Sequence, residues 1–175
     1  LYQYTNSNYV LLARVIEGAS GLSYEQFMRQ ELFAPLGMND TGLDPGDFSP
    51  LNGTRGYSGG NLDIPLDVSN LYGAGDLYST AEDLFKLAQA LSGGRVLPGD
   101  LVARMETPGH GGYGLGWMVE RRGAHRLVYH PGSMSGAATW FGRYPEAGVT
   151  VIVLSNDYYV NVFAVADYLA GQVLP

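Results

Sequence analysis

The hexapeptide Val149-Thr-Val-Ile-Val-Leu154 constrains the possible folds more than any other stretch. Its apolar residues fall at both odd and even positions, so as a strand it offers an apolar surface to both sides of a sheet. Such a strand needs cover on both faces. The turn Pro145-Glu-Ala-Gly148 precedes it, and before that turn stands a second strand-like run, residues 138–144. Residues 126–130 and 114–121 make two more. Four runs of strand period joined by short connections imply antiparallel neighbours. A closing helix over residues 160–169 would cover one face only. Cover for the other face is expected from chain that this sequence does not contain.

The first half of the chain has a different period. Val10, Leu11, Leu12, Val15 and Ile16 form a broad helical stripe over residues 8–17, with Asn6 or Ser7 as cap and Gly18 with Gly21 as stop. Ser23 and Gln26 have capping-box spacing ahead of a second helix, residues 24–32, which Pro35 and Gly37 end. Residues 39–76 are rich in Gly, Pro, Asn and Asp and show little periodicity, a length of irregular chain that is usually functional or poorly ordered. Thr80-Ala-Glu-Asp83 starts a third helix, closed by Gly93-Gly94, and a short helix is expected over residues 98–105. Helices first and consecutive strands afterwards predict an α+β fold: a helical subdomain followed by an antiparallel sheet flanked by helices. The 175 residues read as one domain, with residues 1–110 mainly helix and loop and residues 111–175 carrying the strands and the last helix.

Charge narrows the partners. The formal net charge is -7, and Lys86 is the single lysine among ten basic residues. An acidic surface repels nucleic-acid phosphates and anionic lipid, so a nucleic-acid partner is not expected. No apolar run reaches the roughly 18 residues of a membrane span. The absence of cysteine removes disulfides and thiolate metal sites and decides nothing about compartment.

Two places carry candidate chemistry. Strand residues 126–129 run into His130-Pro-Gly132-Ser133, a histidine followed by a glycine-serine corner. Histidine is the side chain most used for proton transfer near neutral pH, and the glycine lets other groups approach the backbone. At the other end, Tyr4 and Asn6 stand just before the first helix. Tyr4 could carry a proton if neighbouring cations lowered its pKa, and Asn6 could hold a carbonyl or amide. Read alone, they are better explained as a packing tyrosine and an N-cap.

Five segments in one order change that balance: Tyr4-Thr-Asn6, Pro35-Leu-Gly-Met38, Gly73-Ala-Gly-Asp-Leu-Tyr-Ser-Thr-Ala-Glu-Asp83, Tyr113-Gly-Leu-Gly-Trp117 and His130-Pro-Gly132. Together they resemble the serine beta-lactamase and penicillin-binding-protein-like family, in the branch of class C beta-lactamases, related esterases and D-amino-acid peptidases. The resemblance runs over essentially the whole chain. Three active-site elements mark that family: Ser-x-x-Lys, Tyr-x-Asn, and Lys-Thr-Gly or His-x-Gly. Tyr4-Thr-Asn6 is similar to the second and His130-Pro-Gly132 to the third. The first has no match, because the residue three before Lys86 is Asp83. By the resemblance it lies upstream of Tyr-x-Asn, so the chain is expected to be the C-terminal portion of a serine hydrolase.

The resemblance assigns roles. Tyr4 acts with the absent lysine as acid and base, Asn6 holds the substrate amide, and His130 supports Tyr4 and contacts substrate. The Ser133 backbone N–H supplies one oxyanion donor, beside Pro131 and Gly132 on the substrate side. His-x-Gly in place of Lys-Thr-Gly points toward esters and D-amino-acid peptides rather than potent beta-lactam turnover, since a neutral histidine grips a carboxylate less firmly than lysine. The expected partners are a small-molecule or short-peptide substrate and either the absent N-terminal portion or a second copy on the open sheet. No cofactor or metal is called for, and the resemblance favours a periplasmic or secreted setting. A non-catalytic peptide or cell-wall binding relative is the alternative.

His110 and His125 read as solvated loop and turn residues. Asp44, Asp47, Asp63, Asp67 and Asp76 lack EF-hand spacing and read as loop carboxylates rather than a calcium site. Ser133 or Ser135 with His130 makes a poor triad, because near neighbours on one strand cannot readily face each other and no Gly-x-Ser-x-Gly elbow occurs. Tyr57, Tyr72, Tyr78, Tyr113, Trp117 and Trp140 fit either a groove wall or ordinary core packing.

Overall fold

The computed structural model describes residues 2–64 and 66–174. Helix α1 (Asn6–Ser20) is capped by Thr5, whose hydroxyl accepts the Ser7 N–H. Thr5, not Asn6 or Ser7, takes that position because its backbone is extended (φ −152°, ψ 131°), as a cap requires. Gly21 closes the helix at φ 72°, a value that favours glycine. Ser23 and Gln26 form the expected reciprocal capping box on α2 (Tyr24–Met28). That helix does not end near residue 32. It widens into a π-type turn, Arg29–Phe33, and resumes as α3 (Ala34–Leu36). Pro35 has no N–H to close a regular turn, and the Ala34 N–H reaches back five residues to the Arg29 carbonyl.

The irregular stretch holds short ladders. Strand β1 (Gly42–Leu43) pairs with β4 (Leu77–Tyr78), and between them β2 (Tyr57–Ser58) and β3 (Asn61–Leu62) form a hairpin. The aspartates weighed for calcium serve this backbone. Asp44, Asp47 and Asp67 accept the N–H two residues on, Asp63 accepts the Ser58 hydroxyl, and buried Asp76 accepts the Gly73 N–H.

Thr80 caps α4 (Ala81–Ser92), and α5 (Gly99–Met105) follows. Buried Asp83 in the first turn of α4 accepts from the Asp40 N–H (2.8 Å), the Thr41 hydroxyl (2.9 Å) and Lys86 Nζ (2.7 Å). Lys86 also donates to the Gly37 carbonyl at 2.6 Å, so the chain's one lysine ties α4 to the end of α3. Burial pushes the Asp83 carboxyl pKa up, but Lys86, Thr41 and Asp40 outweigh it and hold the group below the usual carboxylate range.

Strands β5 (Met118–Arg122), β6 (His125–Met134), β7 (Ala137–Tyr144) and β8 (Val149–Ser155) form one antiparallel sheet in chain order. Strand β5 starts later than residue 114, because Gly114 bonds Trp117 and Leu115 bonds Met105 in a turn. Strand β6 runs straight through Pro131 and Gly132 to Met134, and the reversal falls at Ser135-Gly136 instead of beside the histidine. Leu127, Tyr129, Trp140, Tyr144 and Val151 share one face and pack on Val162, Ala166 and Ala170 of α6 (Val162–Val173). Two of those three helical residues are alanine, which brings α6 close to the Trp140 ring. Trp140 lies across Gly142, where a Cβ would stand 2.2 Å from the indole.

The second face is covered only in part from within the chain, and Leu154 of β8 stays 41% exposed on it. Helix α4 packs on β8, and Trp117 meets Phe141 edge-on at 5.4 Å. Arg143, 2% exposed, pairs there with Glu106, 4% exposed, and lies over the Trp117 ring. Glu106 also faces Arg126 at 3.3 Å. Apolar side chains left to solvent include Leu11, Leu12 and Val15 on α1 and Phe163, Leu169 and Val173 on α6.

Two predictions follow from these buried charges. Glu106→Ala or Arg143→Ala leaves a charge without its partner and should cost about 3–5 kcal/mol, read from denaturant midpoints, while Glu106→Leu with Arg143→Met recovers most of it. A double variant no better than the singles contradicts the assignment. Asp83 is depressed in the fold, so its contribution is present above the unfolded carboxyl pKa of about 3.9 and is lost as pH falls through the lower folded value. Asp83→Asn should therefore lower stability at neutral pH, and the gap to the parent should close on acidification; a pH-independent gap counts against it.

Candidate active site

The candidate site is built where the start of α1, the turn before β5 and the middle of β6 meet. Each contributes an aromatic side chain. Tyr4 precedes the Thr5 cap, Tyr9 lies on α1, Tyr113 sits in the glycine-dense turn and His130 projects from β6. The Tyr4 and His130 rings are 6.0 Å apart, and Tyr113 stands edge-on to both, at 5.9 Å from Tyr4 and 5.8 Å from His130. The two ends of the sequence singled out for chemistry are thus brought together.

Hydrogen bonding orders the cluster. The Tyr9 hydroxyl donates to the Tyr113 hydroxyl at 3.1 Å, and Tyr113 Oη lies 2.8 Å from His130 Nε2. His130 Nδ1 lies 2.7 Å from the Pro131 carbonyl, which can only accept. For the neutral imidazole this places the proton on Nδ1 and leaves Nε2 as acceptor of the Tyr113 O–H.

The electrostatics differ from the expectation for Tyr4. Its pKa is raised, first by desolvation and then by Tyr9 and Tyr2, and no cation stands beside it among the described residues. Burial and its tyrosine neighbours push Tyr113 up strongly. Both phenols are therefore protonated at neutral pH. Tyr4 becomes a proton acceptor only if a cation is brought next to it.

The remaining predicted residues line up along β6 and α1. Pro131 lies opposite Trp140, and Gly132 lies opposite Thr139, whose hydroxyl would stand 2.4 Å from a Cβ at that position. Ser133 is exposed, opposite Ala138. Pairing with β5 ends at Met118–Tyr129, so from His130 to Met134 only β7 is paired with β6. Asn6 is exposed at the first position of α1, two residues from Tyr4. An adjoining groove of about 380 Å³ is lined by Tyr2, Tyr4, Tyr9, Leu12, Tyr113 and Leu115, and no charged side chain borders it.

Ser135 bonds Asp63 beyond the turn, and both His130 nitrogens are engaged elsewhere, so the Ser133 or Ser135 triad gains no geometry. His110 is exposed as expected, whereas His125 is half-buried on β6 against Tyr144. Sequence reasoning missed the Tyr9–Tyr113–His130 chain, although Tyr113 stood among the aromatic candidates. The signal was the run of glycines around it. At Gly114 a Cβ would lie 2.3 Å from the Met105 carbonyl, so this turn is packed against α5 and cannot vary freely.

Comparison with known proteins gives the family and the fold. The family model described as Beta-lactamase matches residues 1–174. A penicillin-binding protein of Bacillus subtilis is 31% identical over 98% of this chain and 44% of its own length. A D-aminopeptidase of Brucella ovis is 27% identical over 89% of this chain and 32% of its own. The chain thus spans less than half the length of these curated relatives. Among solved structures, D-amino acid amidase from Ochrobactrum anthropi SV3 superposes with a TM-score of 0.87 at 27% identity, over 99% of this chain and 58% of that one. By sequence and by fold, the chain belongs to the beta-lactamase family of serine hydrolases.

Proposed function

We propose that this chain forms the Tyr-x-Asn and His-x-Gly part of a serine hydrolase that works through an acyl-enzyme. The reading assigns its nucleophilic serine and companion lysine to a Ser-x-x-Lys element outside these 175 residues. The observation that carries it is the convergence of Tyr4 and His130 at 6.0 Å, beside a stretch of β6 that only β7 pairs. A serine hydroxyl needs a base, and its attack on a carbonyl needs donors for the oxyanion. Tyr4 is a neutral phenol here, so the lysine of the absent element would supply the cation that lets Tyr4 accept the serine proton and pass it to the leaving group. Asn6, at the start of α1, would hold the substrate amide. The Ser133 N–H would be one oxyanion donor, with Pro131 and Gly132 forming the adjacent wall.

The groove supports esters and D-amino-acid amides or peptides over beta-lactams. Its described lining is tyrosine, leucine and glycine with the neutral polar side chains of Gln3, Thr5 and Asn8 and no cation, so a substrate carboxylate finds no charge partner among these residues. The D-aminopeptidase and D-amino acid amidase relatives act on substrates of the favoured kind, as their names state. The outer edge of β8 and the outer side of α6 are where further chain of the same protein, or a second copy, would pack.

A second reading keeps one observation in its favour: the sequence holds no Ser-x-x-Lys. A relative without the nucleophile would use the same groove to bind peptide or cell-wall material.

Kinetics of the full-length protein on a short acyl ester, a D-amino acid amide and a cephalosporin test the reading. We expect ester and amide turnover to exceed cephalosporin turnover. Tyr4→Phe should lower kcat by about 10²–10⁴, the contribution of a positioned acid/base. Reversibly bound peptide with no turnover of any substrate would select the binding relative.

A further inference from the structure

We propose that Tyr113 is a positioning residue for His130, which with Tyr9 behind it occupies His130 Nε2 and aims the imidazole at Tyr4. The proposal rests on the reading of His130 as part of the active site, and it assigns the histidine a defined donor and acceptor pattern.

Nδ1 has the Pro131 carbonyl at 2.7 Å, an acceptor with no proton to give, so Nδ1 is the donor. The lone pair of the neutral ring is then at Nε2, which meets the Tyr113 O–H at 2.8 Å. Tyr9 donates to Tyr113 at 3.1 Å, so Tyr113 Oη accepts one hydrogen bond while directing its own O–H at Nε2. The three bonds have one consistent direction, Tyr9 to Tyr113 to His130 to the Pro131 carbonyl. Other donors and acceptors near the ring would compete for that order. Of its aromatic neighbours, Tyr4 faces His130 through its ring, and Tyr2 meets Tyr113 ring to ring at 5.6 Å.

The backbone holds Tyr113 in this position. Gly114 bonds Trp117, Leu115 bonds the Met105 carbonyl at the end of α5, and Tyr113 bridges to Met118 at the start of β5. The hydroxyl is thus fixed from the sheet side and from α1 at once. A His130 nitrogen so engaged is not a free base. It meets a substrate only by exchanging its Tyr113 bond, and the ring cannot turn without breaking bonds at both ends.

The test uses the full-length protein and reads the nitrogen directly. Diethyl pyrocarbonate acylates the unprotonated imidazole nitrogen, and peptide mass mapping separates His130 from the exposed His110, the internal reference. Tyr113→Phe keeps the ring and removes the hydroxyl. We expect His130 modification to accelerate about 2- to 13-fold relative to His110, the range for loss of one net hydrogen bond. Tyr9→Phe, which leaves the Tyr113 hydroxyl in place, should raise it less. With substrate, Tyr113→Phe should lower kcat more than it raises KM. An unchanged His130 rate in a folded Tyr113→Phe protein overturns the proposal. Faster modification of the variant, where the parent full-length protein turns over no substrate, would uphold the Tyr113 bond and refute only the hydrolase reading.

Discussion

The site depends on an asymmetry in the pairing of β6. That strand is bonded to β7 from Val128 to Met134, but to β5 only from His125 to Tyr129. Strand β5 stops there because Gly114 to Trp117 closes a turn instead of extending the ladder. The residues spared from β5 are the ones proposed for chemistry, His130 to Ser133. A rigid strand with one neighbour missing gives fixed side chains and a backbone edge in one place, which is how a binding groove is held to useful precision. The same turn that ends β5 delivers Tyr113 to His130, so a single local structure both opens the edge and engages the histidine.

Support for that strand comes from two unlike faces. On one side, the small residues Ala166 and Ala170 bring α6 down on Trp140 and Tyr144. On the other, the Arg143–Glu106 pair links β7 to the end of α5 within a largely buried setting. A buried pair is poor evidence of net stability, because desolvation offsets much of the attraction. Its geometric consequence is firmer: it ties the end of α5 to the sheet beside the Met105 carbonyl on which the Tyr113 turn rests.

Much of this was legible in the chain. Val149–Ser155 was bounded correctly because its apolar run ends in turn residues on both sides. Ser23 with Gln26 and Thr80 announced their helices because capping is local chemistry. The errors have physical causes as well. Proline and glycine at 131 and 132 suggest a corner, yet β7 pairing holds them in a continuous strand. The Arg143–Glu106 pair, 37 positions apart, carries no local sequence signal. Tyr4 and His130 were identified through their motifs, whereas Tyr9 and Tyr113 needed three-dimensional contact. No periodicity reports a hydrogen bond between residues 104 positions apart.

The central claim is that this groove belongs to an acyl-enzyme chemistry whose nucleophile is a serine outside the present sequence. The most direct measurement is intact mass, with peptide mapping, of the full-length protein and of the 175-residue chain after reaction with a fluorophosphonate. The account predicts one adduct on the full-length protein, at a serine followed three residues later by lysine, and none on the shorter chain. A stoichiometric adduct on Ser133, Ser135 or any other serine of the 175 residues, or a folded full-length protein that takes up no probe, would contradict it.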